Sequence, residues 1–575
     1  MSGNRDTFGD AGRALLRSCG TSFAVVGCFS FAVNLLMLAS PLYMMQVYDR
    51  VLASRSEATL AALTAVVGFL LIVMAALDVM RARVLVRQSG RLEASFGERV
   101  RQSVRQAALG GDEGAARALR DFDTVRGFLA NPAVFAFFDT PWVPIYVAVV
   151  FVLHPMLGLL ALGGALALFG LTVLNELATR KRLTEASALT ARNWVQLDRF
   201  LGAAQTLESM AMFGPMFARW NHRRGEALAL QAQASDAAGL LLGVSKLLRL
   251  LIQVAVLGGG AWLAIRQEIT PGAIIGASIL VARGLAPIEQ MTGAWKQLVG
   301  AREGFRQLTK RLSAYPPSTP RLSLPAPEGR LGVEQLVIAA PDTGQPLIKG
   351  ISFELPAGRA LAILGPSGAG KSTLARALVG VWRPLRGTVR LDDADLDHWD
   401  RAQLGPYIGY LPQEVALFEG TVVENIARFG TPDAARVVAA AKTASIHPLI
   451  LHLPDGYGTQ IGPGGARLSA GQRQRIALAR ALYGEPVLIV LDEPDSNLDE
   501  SGEQALAAAI RTQRERGATV VVVSHRPYVL RSVDCVLGLA DGKVAWSGDA
   551  DRVLAARRSG TPMMAAGASQ RNAAS

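Results

Sequence analysis

The sequence predicts an α-helical transmembrane bundle of six spans followed by an α/β domain. The first observation is composition: half of the 575 residues are hydrophobic and only 18% are charged, which is too apolar for a wholly soluble chain. The second is the stretch 365–373, which follows the apolar run 360–364 and has the pattern of a phosphate-binding loop between a strand and a helix. The third is a Pro-rich linker at 313–330, which separates the two parts.

The six spans are the stretches with enough apolar residues to cross a bilayer, which takes about 20. His154-Pro155 divides the third stretch into two spans, because proline disfavours helix continuation. The last two spans are interrupted by the charged residues Lys246, Arg249 and Arg283, and placing a charged side chain in lipid is energetically costly. The predicted spans are residues 21–48, 58–77, two within 140–175, 239–265 and 271–291.

The positions of the basic residues predict which side of the membrane each connection between spans lies on. Ten arginines lie between 81 and 126, and eight Lys or Arg lie between 180 and 224, whereas the other connections are short. Because cytoplasmic loops retain Lys and Arg, both long segments are predicted to be cytoplasmic, together with both termini and the phosphate loop. Their composition favours helices that continue out of the membrane, with turns near 121–128 and 208–213. Solvated helical hairpins that contact nothing are the alternative.

The predicted organisation has five parts. They are a cytoplasmic segment 1–20, a transmembrane domain 21–312, the linker 313–330, a nucleotide-binding domain 331–556 and a disordered tail 557–575. Three separated cysteines indicate neither a disulfide framework nor a zinc site. The net charge of +12 is explained by arginines beside the spans, and no nucleic-acid partner is expected. Membrane lipid surrounds the spans.

The phosphate loop carries the first chemical prediction, which is binding of ATP or GTP. Its glycines allow backbone N–H groups to surround phosphates, Lys371 adds a charge, and Ser372 can bind Mg²⁺ at a helix N-terminus. A glycine loop without function is the alternative. The predicted nucleotide-binding residues are Gly365, Pro366, Ser367, Gly368, Ala369, Gly370, Lys371, Ser372 and Thr373.

Four polar residues follow apolar runs that are predicted to be strands of a largely parallel sheet, where α/β proteins bind ligands. Asp492 is expected to hold Mg²⁺, with Ser372 and Gln413, and Glu493 to orient or deprotonate the attacking water. Gln413 and His525 are expected to reach the γ-phosphate. The alternatives are a pair of surface acids and ordinary structural Gln and His side chains.

The stretch 468–475, Leu-Ser-Ala-Gly-Gln-Arg-Gln-Arg, resembles the signature motif of ATP-binding cassette proteins, with Ala470 where glycine is usual. Together with the residues above and the Ser-Asn-Leu-Asp stretch 496–499, the resemblance covers about 331–556. Ser469, Ala470, Gly471 and Gln472 open a helix whose N-terminus attracts phosphate. In the family these groups meet ATP bound to a partner subunit, so the resemblance implies a half-transporter that works as a homodimer. The predicted fold is thus that of a type I ABC exporter.

The stretches 41–56 and 282–290 resemble bacterial type I secretion exporters for proteases, lipases and other proteins with uncleaved C-terminal signals. This resemblance implies an ATP-hydrolysing exporter of the bacterial inner membrane, with a periplasmic membrane-fusion adaptor, an outer-membrane channel and a secreted polypeptide as partners. A multidrug or lipid exporter is the alternative, and a membrane-tethered ATPase that moves nothing is a third hypothesis.

Two further positions bear on contacts with the nucleotide base and with the transported substrate. The family usually places an aromatic residue about 25 positions before the phosphate-loop lysine to stack on adenine, whereas 337–341 reads Val-Ile-Ala-Ala-Pro. The absence of this aromatic ring should cost about 1–3 kcal/mol of stacking energy with the adenine base. Arg283 is hypothesised to contact the transported substrate, and the alternative is a buried ion pair with Asp78.

Overall fold

The structure is a computed structural model, and it divides the chain into a helical unit, which holds most residues up to Pro317, and an α/β unit from Ser318 onward. Six helical segments of the described part are long and apolar enough to cross a membrane, as predicted: Arg17–Ser54, Glu57–Leu109, Pro132–Leu153, Pro155–Gly202, Phe213–Ile265 and Pro271–Ala314. The described residues are 6–112, 114–316, 324–340, 344–496, 498–524 and 526–558.

The helical unit consists of a few very long helices joined by short ones. A π-helical turn, Val47–Val51, follows the second helix, and the third and fourth spans separate at His154, whose backbone is extended before Pro155 opens the next helix, as predicted. The α-helices are α1 Asp6–Leu36, α2 Ala39–Gln46, α3 Leu52–Ser54, α4 Glu57–Leu109, α5 Arg117–Ala130, α6 Phe135–Asp139, α7 Val143–Leu153, α8 Pro155–Gly202, α9 Ala204–Ser209, α10 Phe213–Ile265 and α11 Pro271–Ala314.

The long segments between spans consist of helices that continue from the spans themselves. Helices α4 and α10 each contain 53 residues and α8 contains 48, far more than the roughly 20 that a bilayer requires. The turn predicted near 208–213 is confirmed, since α9 ends at Ser209 and Ala211 has a left-handed backbone. The turn predicted near 121–128 is wrong. That stretch lies inside α5, because Ala118, Phe122 and Leu129 recur at helical spacing and bury one face.

Polar side chains join the first spans to one another. The buried Arg81 of α4 forms ion pairs with Asp78 (2.7 Å) and with Asp139 of α6 (2.8 Å), and it also donates to Ser30 of α1 (3.1 Å). Asn34 of α1 donates to the same Asp139 at 3.0 Å. A buried charge is tolerated only when it is paired in this way. Since Asp78 is paired with Arg81, the alternative that it neutralises Arg283 is wrong.

The α/β unit contains two sheets. The order of the antiparallel sheet is β2-β1-β4-β5, and that of the six-stranded sheet is β10-β9-β3-β8-β7-β6, in which only β10 is antiparallel. The strands are β1 Leu331–Ala339, β2 Pro346–Leu355, β3 Ala360–Leu364, β4 Arg386–Leu391, β5 Ala394–Asp395, β6 Ile408–Leu411, β7 Leu488–Asp492, β8 Thr519–Val523, β9 Cys535–Ala540 and β10 Lys543–Asp549.

Helices cover the six-stranded sheet. Alternate residues of β3 and β8 enter two different hydrophobic cores, with Ala362 and Val522 in one and Ile363 and Val523 in the other, so both faces of the sheet are buried. This explains why its central strands are continuous apolar runs. The helices of this unit are α12 Lys371–Leu378, α13 Arg401–Leu404, α14 Val422–Ile426, α15 Ala434–Thr443, α16 His447–Leu451, α17 Ala470–Leu482, α18 Glu500–Glu515 and α19 Ala550–Arg558.

Candidate nucleotide-hydrolysis site

The predicted site residues of the sheet follow its parallel strands at one edge. The phosphate loop follows β3, Asp492 is the last residue of β7, and Gln413 lies two residues beyond β6. Because β3, β8, β7 and β6 are neighbours and parallel, their carboxyl ends meet at the same edge, where α/β sheets bind ligands. His525 follows β8 in the sequence but lies outside the described residues, as do Asn497 and the predicted tail from 559 onward.

Two glycines of the phosphate loop are fixed by close contacts. Gly365 has φ +155°, and a Cβ there would lie 2.3 Å from the carbonyl oxygen of Leu539 on β9. Gly370 has φ +92°, and its Cβ would lie 2.8 Å from Ile348 Cδ1. Gly368 also has a positive φ, +80°, but no atom of the described part of the chain lies within 4 Å of its Cβ position. The loop therefore turns back against β9 and β2 before α12 begins at Lys371.

Gly365 and Gly368 provide a matched test of this packing. We expect Gly365→Ala to destabilise the α/β unit by about 2–4 kcal/mol, because the methyl group collides with backbone that cannot rotate away. Gly368→Ala should cost only about 1–2 kcal/mol, from backbone conformation alone. Urea unfolding of the full-length protein measures both changes. Equal destabilisation by the two substitutions would contradict the predicted collision.

Lys371 lies at the first turn of α12 with its ammonium group inside the loop. Its Nζ donates to the carbonyl oxygens of Gly365 (3.0 Å) and Pro366 (2.9 Å), and only 5% of the residue is exposed. Burial lowers the pKa of the Lys371 ammonium group, while the carboxylates of Glu493 and Asp492 act in the opposite direction. The loop thus presents a desolvated cation, and anionic phosphate oxygens are suitable partners for it.

Three oxygen atoms converge beside this cation. Ser372 Oγ lies 3.1 Å from Asp492 Oδ1, to which it donates, and 3.4 Å from Gln413 Oε1. Asp492 is 1% exposed, and its second oxygen, Oδ2, has no hydrogen-bond partner among the described residues. Burial raises the pKa of this carboxyl group, and the Ser372 hydrogen bond partly offsets the effect. An unsatisfied buried carboxylate oxygen is costly, and a bound cation would satisfy it.

These residues fit Mg²⁺. The ion prefers oxygen ligands and binds through one or two carboxylates together with substrate phosphates, rather than in an all-protein cage. Among the described residues no group of three or more His, Cys, Asp or Glu could hold a metal by itself, which is consistent with a site completed by phosphate. Ser372, Asp492 and Gln413 are the residues that would hold the ion.

Glu493 follows β7 in a strained conformation. Its φ is +48°, which is uncommon for a residue other than glycine, and its N–H donates to the Val523 carbonyl at 2.9 Å. Gln413 Nε2 donates to Glu493 Oε2, also at 2.9 Å. Gln413 therefore touches both Ser372 and Glu493. The carboxylate of Glu493 lies half-buried next to the candidate metal ligands, where a base for an attacking water is required.

The signature stretch forms the start of α17, and this helix packs on other elements than α12 does. Ser469 is the N-cap of this helix and forms a capping box with Gln472, and both Ser469 and Ala470 are exposed. Gly471 lies in the first turn. Helix α17 packs on α14, α15 and β6, whereas α12 packs on β2, β7 and β8. Within the described residues, no hydrogen bond joins residues 469–472 to the phosphate loop.

Gln474 is a residue of this region to which the sequence analysis gave no role. It is 2% exposed, and its Nε2 donates to the backbone carbonyl oxygens of Glu493 (3.4 Å) and Pro494. The side chain therefore links the signature helix to the segment that carries the candidate base. Its position in the Gln-Arg-Gln-Arg run that ends the signature stretch gave no indication of which glutamine turns inward.

We expect Gln474→Leu to lower kcat for ATP hydrolysis about tenfold or more with little change in KM, because it frees the Glu493 segment without touching the phosphate loop. Steady-state phosphate release measures this effect. Gln504→Leu, on the exposed side of α18, is the control and should leave both constants unchanged. If Gln474→Leu lowered thermal stability but not kcat, its role would be structural only.

Comparison with known proteins gives a consistent result over nearly the whole chain. Residues 23–283 match the ABC transporter transmembrane region, and residues 348–496 match the ABC transporter domain. The chain is 44% identical over 546 residues to the type I secretion system ATP-binding protein PrsD of Rhizobium meliloti, covering 94% of each protein. It is 28% identical to the cyclolysin secretion/processing ATP-binding protein CyaB of Bordetella pertussis, over 92% of this chain and 75% of CyaB.

The fold has a solved counterpart. A bacterial Atm1-family ABC exporter with ATP bound superposes with a TM-score of 0.74 at 23% identity, over 98% of this chain and 99% of the other. That similarity concerns architecture. The identity to PrsD extends through both the spans and the nucleotide domain. From these matches, the chain belongs to the ABC transporters, in the family of type I secretion system ATP-binding proteins, and couples ATP hydrolysis to transport.

Proposed function

We propose that this chain exports a polypeptide with an uncleaved C-terminal signal across the bacterial inner membrane, as the ABC component of a type I secretion system. The observation that carries the proposal is the 44% identity to PrsD over 94% of both chains, spans and ATP site included. More distant relatives support it, because their names describe cyclolysin secretion and leukotoxin export. The proposed location places both termini and the ATP site in the cytoplasm.

The proposed hydrolysis uses the groups at the sheet edge. Lys371 and the loop amides bind the β- and γ-phosphates, and Ser372, Asp492 and Gln413 hold Mg²⁺. Mg²⁺ held by these residues would supply positive charge against the charge that develops on the transferred phosphoryl group. Glu493 accepts a proton from the attacking water, and Gln413 orients the Glu493 carboxylate through its 2.9 Å hydrogen bond. His525 is proposed to contact the γ-phosphate from the end of β8.

The proposed active form is a homodimer. Ser469 and Ala470 are exposed at the start of a 13-residue helix and bond to no phosphate-loop residue of their own chain, so a second copy would bring this N-terminus to the nucleotide. Each ATP would then lie between the Lys371 loop of one copy and the Ser469 helix of the other. Ser469→Ala should lower hydrolysis about tenfold even at saturating ATP, through loss of a phosphate contact.

Mixing two impaired variants, at an ATP concentration that does not saturate Lys371→Ala, tests this arrangement. When Lys371→Ala and Ser469→Ala chains are combined, the heterodimer retains one site with both groups intact, so phosphate release should exceed that of either variant alone. Each variant mixed with itself is the control. No recovery on mixing would contradict a site shared between copies, because both lesions would then act within their own chain.

The transport proposal is tested by the proteins that disappear from culture medium when this chain is deleted. A periplasmic membrane-fusion adaptor and an outer-membrane channel are the proposed partners, and their separate deletion should remove the same polypeptide. Complementation with Glu493→Gln, which is expressed but slow to hydrolyse ATP, is the matched control and should not restore secretion. An unchanged set of secreted proteins together with new drug sensitivity would favour a multidrug or lipid exporter instead.

A further inference from the structure

A buried side-chain contact joins the ends of β7 and β8 beside the candidate hydrolysis site. Asp495 lies three residues beyond Asp492, the last residue of β7, and Ser524 directly follows β8. Ser524 Oγ donates to Asp495 Oδ2 at 2.6 Å, and Asp495 and Ser524 are only 4% and 0% exposed. Within the described residues, neither side chain forms a hydrogen bond to the phosphate loop or to the candidate metal ligands.

Stability alone does not favour a carboxylate at this position. A buried carboxylate loses its hydration, and a single hydroxyl donor does not offset that loss. Asp495 forms no ion pair with any described residue, and its hydrogen bond comes from the neutral Ser524. A neutral or apolar residue of similar size would serve packing at least as well. The buried carboxylate therefore indicates a requirement for a fixed geometry.

The β7 side of this contact carries the candidate base. Glu493 lies two residues before Asp495, and its N–H donates to the carbonyl oxygen of Val523 on β8. The backbone of Glu493 has φ +48°, and such a conformation persists only where the surrounding structure imposes it. A single backbone hydrogen bond allows the segment to rotate about it. The Asp495 side chain supplies a second attachment between this segment and the end of β8.

The β8 side of the contact adjoins a second predicted site residue. Besides donating to Asp495, Ser524 Oγ accepts a hydrogen bond from the N–H of Arg526 at 3.0 Å. The guanidinium group of Arg526 pairs with Glu503 of α18. His525, the proposed γ-phosphate contact, lies between Ser524 and Arg526 in the sequence. One hydroxyl group thus ties residues 524 and 526 to the Asp495 carboxylate.

We propose that Asp495 is a positioning residue for ATP hydrolysis, which acts through Ser524 to hold the ends of β7 and β8 in one arrangement while water attacks. The inference rests on the proposed roles of Glu493 and His525, and it does not depend on the transported substrate. A misplacement of about 1 Å can lower a rate about 100-fold, so loosening this contact should lower kcat. ATP binding should change little, because the phosphate loop follows a different strand, β3.

The test measures kcat and KM for ATP hydrolysis by the full-length protein in nanodiscs. Ser524→Ala removes the hydrogen-bond donor and should lower kcat about tenfold or more, with KM changed by less than about twofold. Asp495→Val removes the acceptor and should have the same effect. Asp495→Asn keeps an oxygen that can accept the bond, so it should retain at least about one third of the parental kcat.

Thermal unfolding separates positioning from folding. Ser524→Ala leaves the Asp495 carboxylate buried without a donor, so its Tm should fall. Combining it with Asp495→Val removes the unpaired charge and should restore Tm, while kcat stays as low as in either single variant, because both substitutions break the same contact. Ser547→Ala and Asp541→Asn, two substitutions of exposed residues, are the controls and should match the parent in kcat and Tm.

Three contrary results would overturn the inference. If the double variant recovered turnover together with its stability, the contact would support folding only. Parental kcat in folded Ser524→Ala would exclude a positioning role, and it would leave the site assignments intact as long as Glu493→Gln remained slow. Parental turnover of Glu493→Gln would refute the proposed base itself, and with it the reason for holding this segment in place.

Discussion

Glu493→Gln is expected to bind ATP with near-normal affinity and to hydrolyse it at least about 100-fold more slowly than the parent. A positioned general base contributes about 10²–10⁴-fold to such a reaction, and glutamine keeps the size and the hydrogen-bonding capacity of the side chain while losing its basicity. Gln413 connects the Glu493 carboxylate to Ser372, which in turn donates to Asp492. Glu493 itself has no proposed role in holding the nucleotide, so its substitution should leave ATP affinity nearly unchanged.

Two measurements check this expectation. Steady-state phosphate release gives the rate, and size-exclusion chromatography with and without ATP and Mg²⁺ shows whether an ATP-bound dimer accumulates. Glu500→Gln, an exposed acid at the start of α18, is the control and should hydrolyse ATP at the parental rate. Equal turnover in Glu493→Gln and the parent would refute the general-base assignment.

Lys371→Ala should have the second large effect, and it should act on binding rather than on the chemical step. The substitution removes a buried cation that the phosphates would contact, and one charge-assisted hydrogen bond is worth about 1.5–3 kcal/mol, so ATP affinity should fall by roughly 10- to 100-fold. Fluorescent ATP-analogue titration measures this change. It is expected to be larger than the corresponding change for Glu493→Gln.

Lys349→Ala provides the control, because Lys349 lies on β2 with its side chain exposed and has no role in the proposed site. Its ATP affinity should equal that of the parent. If Lys371→Ala retained full affinity while losing turnover, the ammonium group would serve the transition state alone, and the binding role assigned to it here would be wrong.

The sequence was sufficient to predict the elements that depend on local patterns. The six charge-poor stretches became spanning helices because backbone groups in lipid must bond within their own helix. The runs 360–364 and 519–523 match β3 and β8, since strands buried on both faces are continuously apolar. The sheet-edge cluster of Ser372, Gln413 and Asp492 was predictable because parallel strands end together.

The sequence could not predict which side chains of distant segments pair with one another. Arg81 pairs with Asp78 three residues earlier and with Asp139 on another helix, and no local pattern distinguishes those acids from other candidates. The missed contact of Gln474 with the Glu493 segment is of the same kind, because it depends on how α17 packs against the end of β7. Part of helix α5 was interpreted as a turn because its six polar and charged residues conceal a narrow buried face.

The length of α4 has a mechanical consequence. At 1.5 Å per residue its 53 residues form a rod about 80 Å long, of which about 30 Å lies in hydrocarbon and about 50 Å extends beyond it. If such a rod tilts by about 5° at the membrane surface, its outer end moves by about 4 Å and its far membrane end by about 2.5 Å. The helix is therefore a lever with unequal arms, which converts small displacements at its outer end into somewhat smaller displacements within the bilayer, with a gain in force.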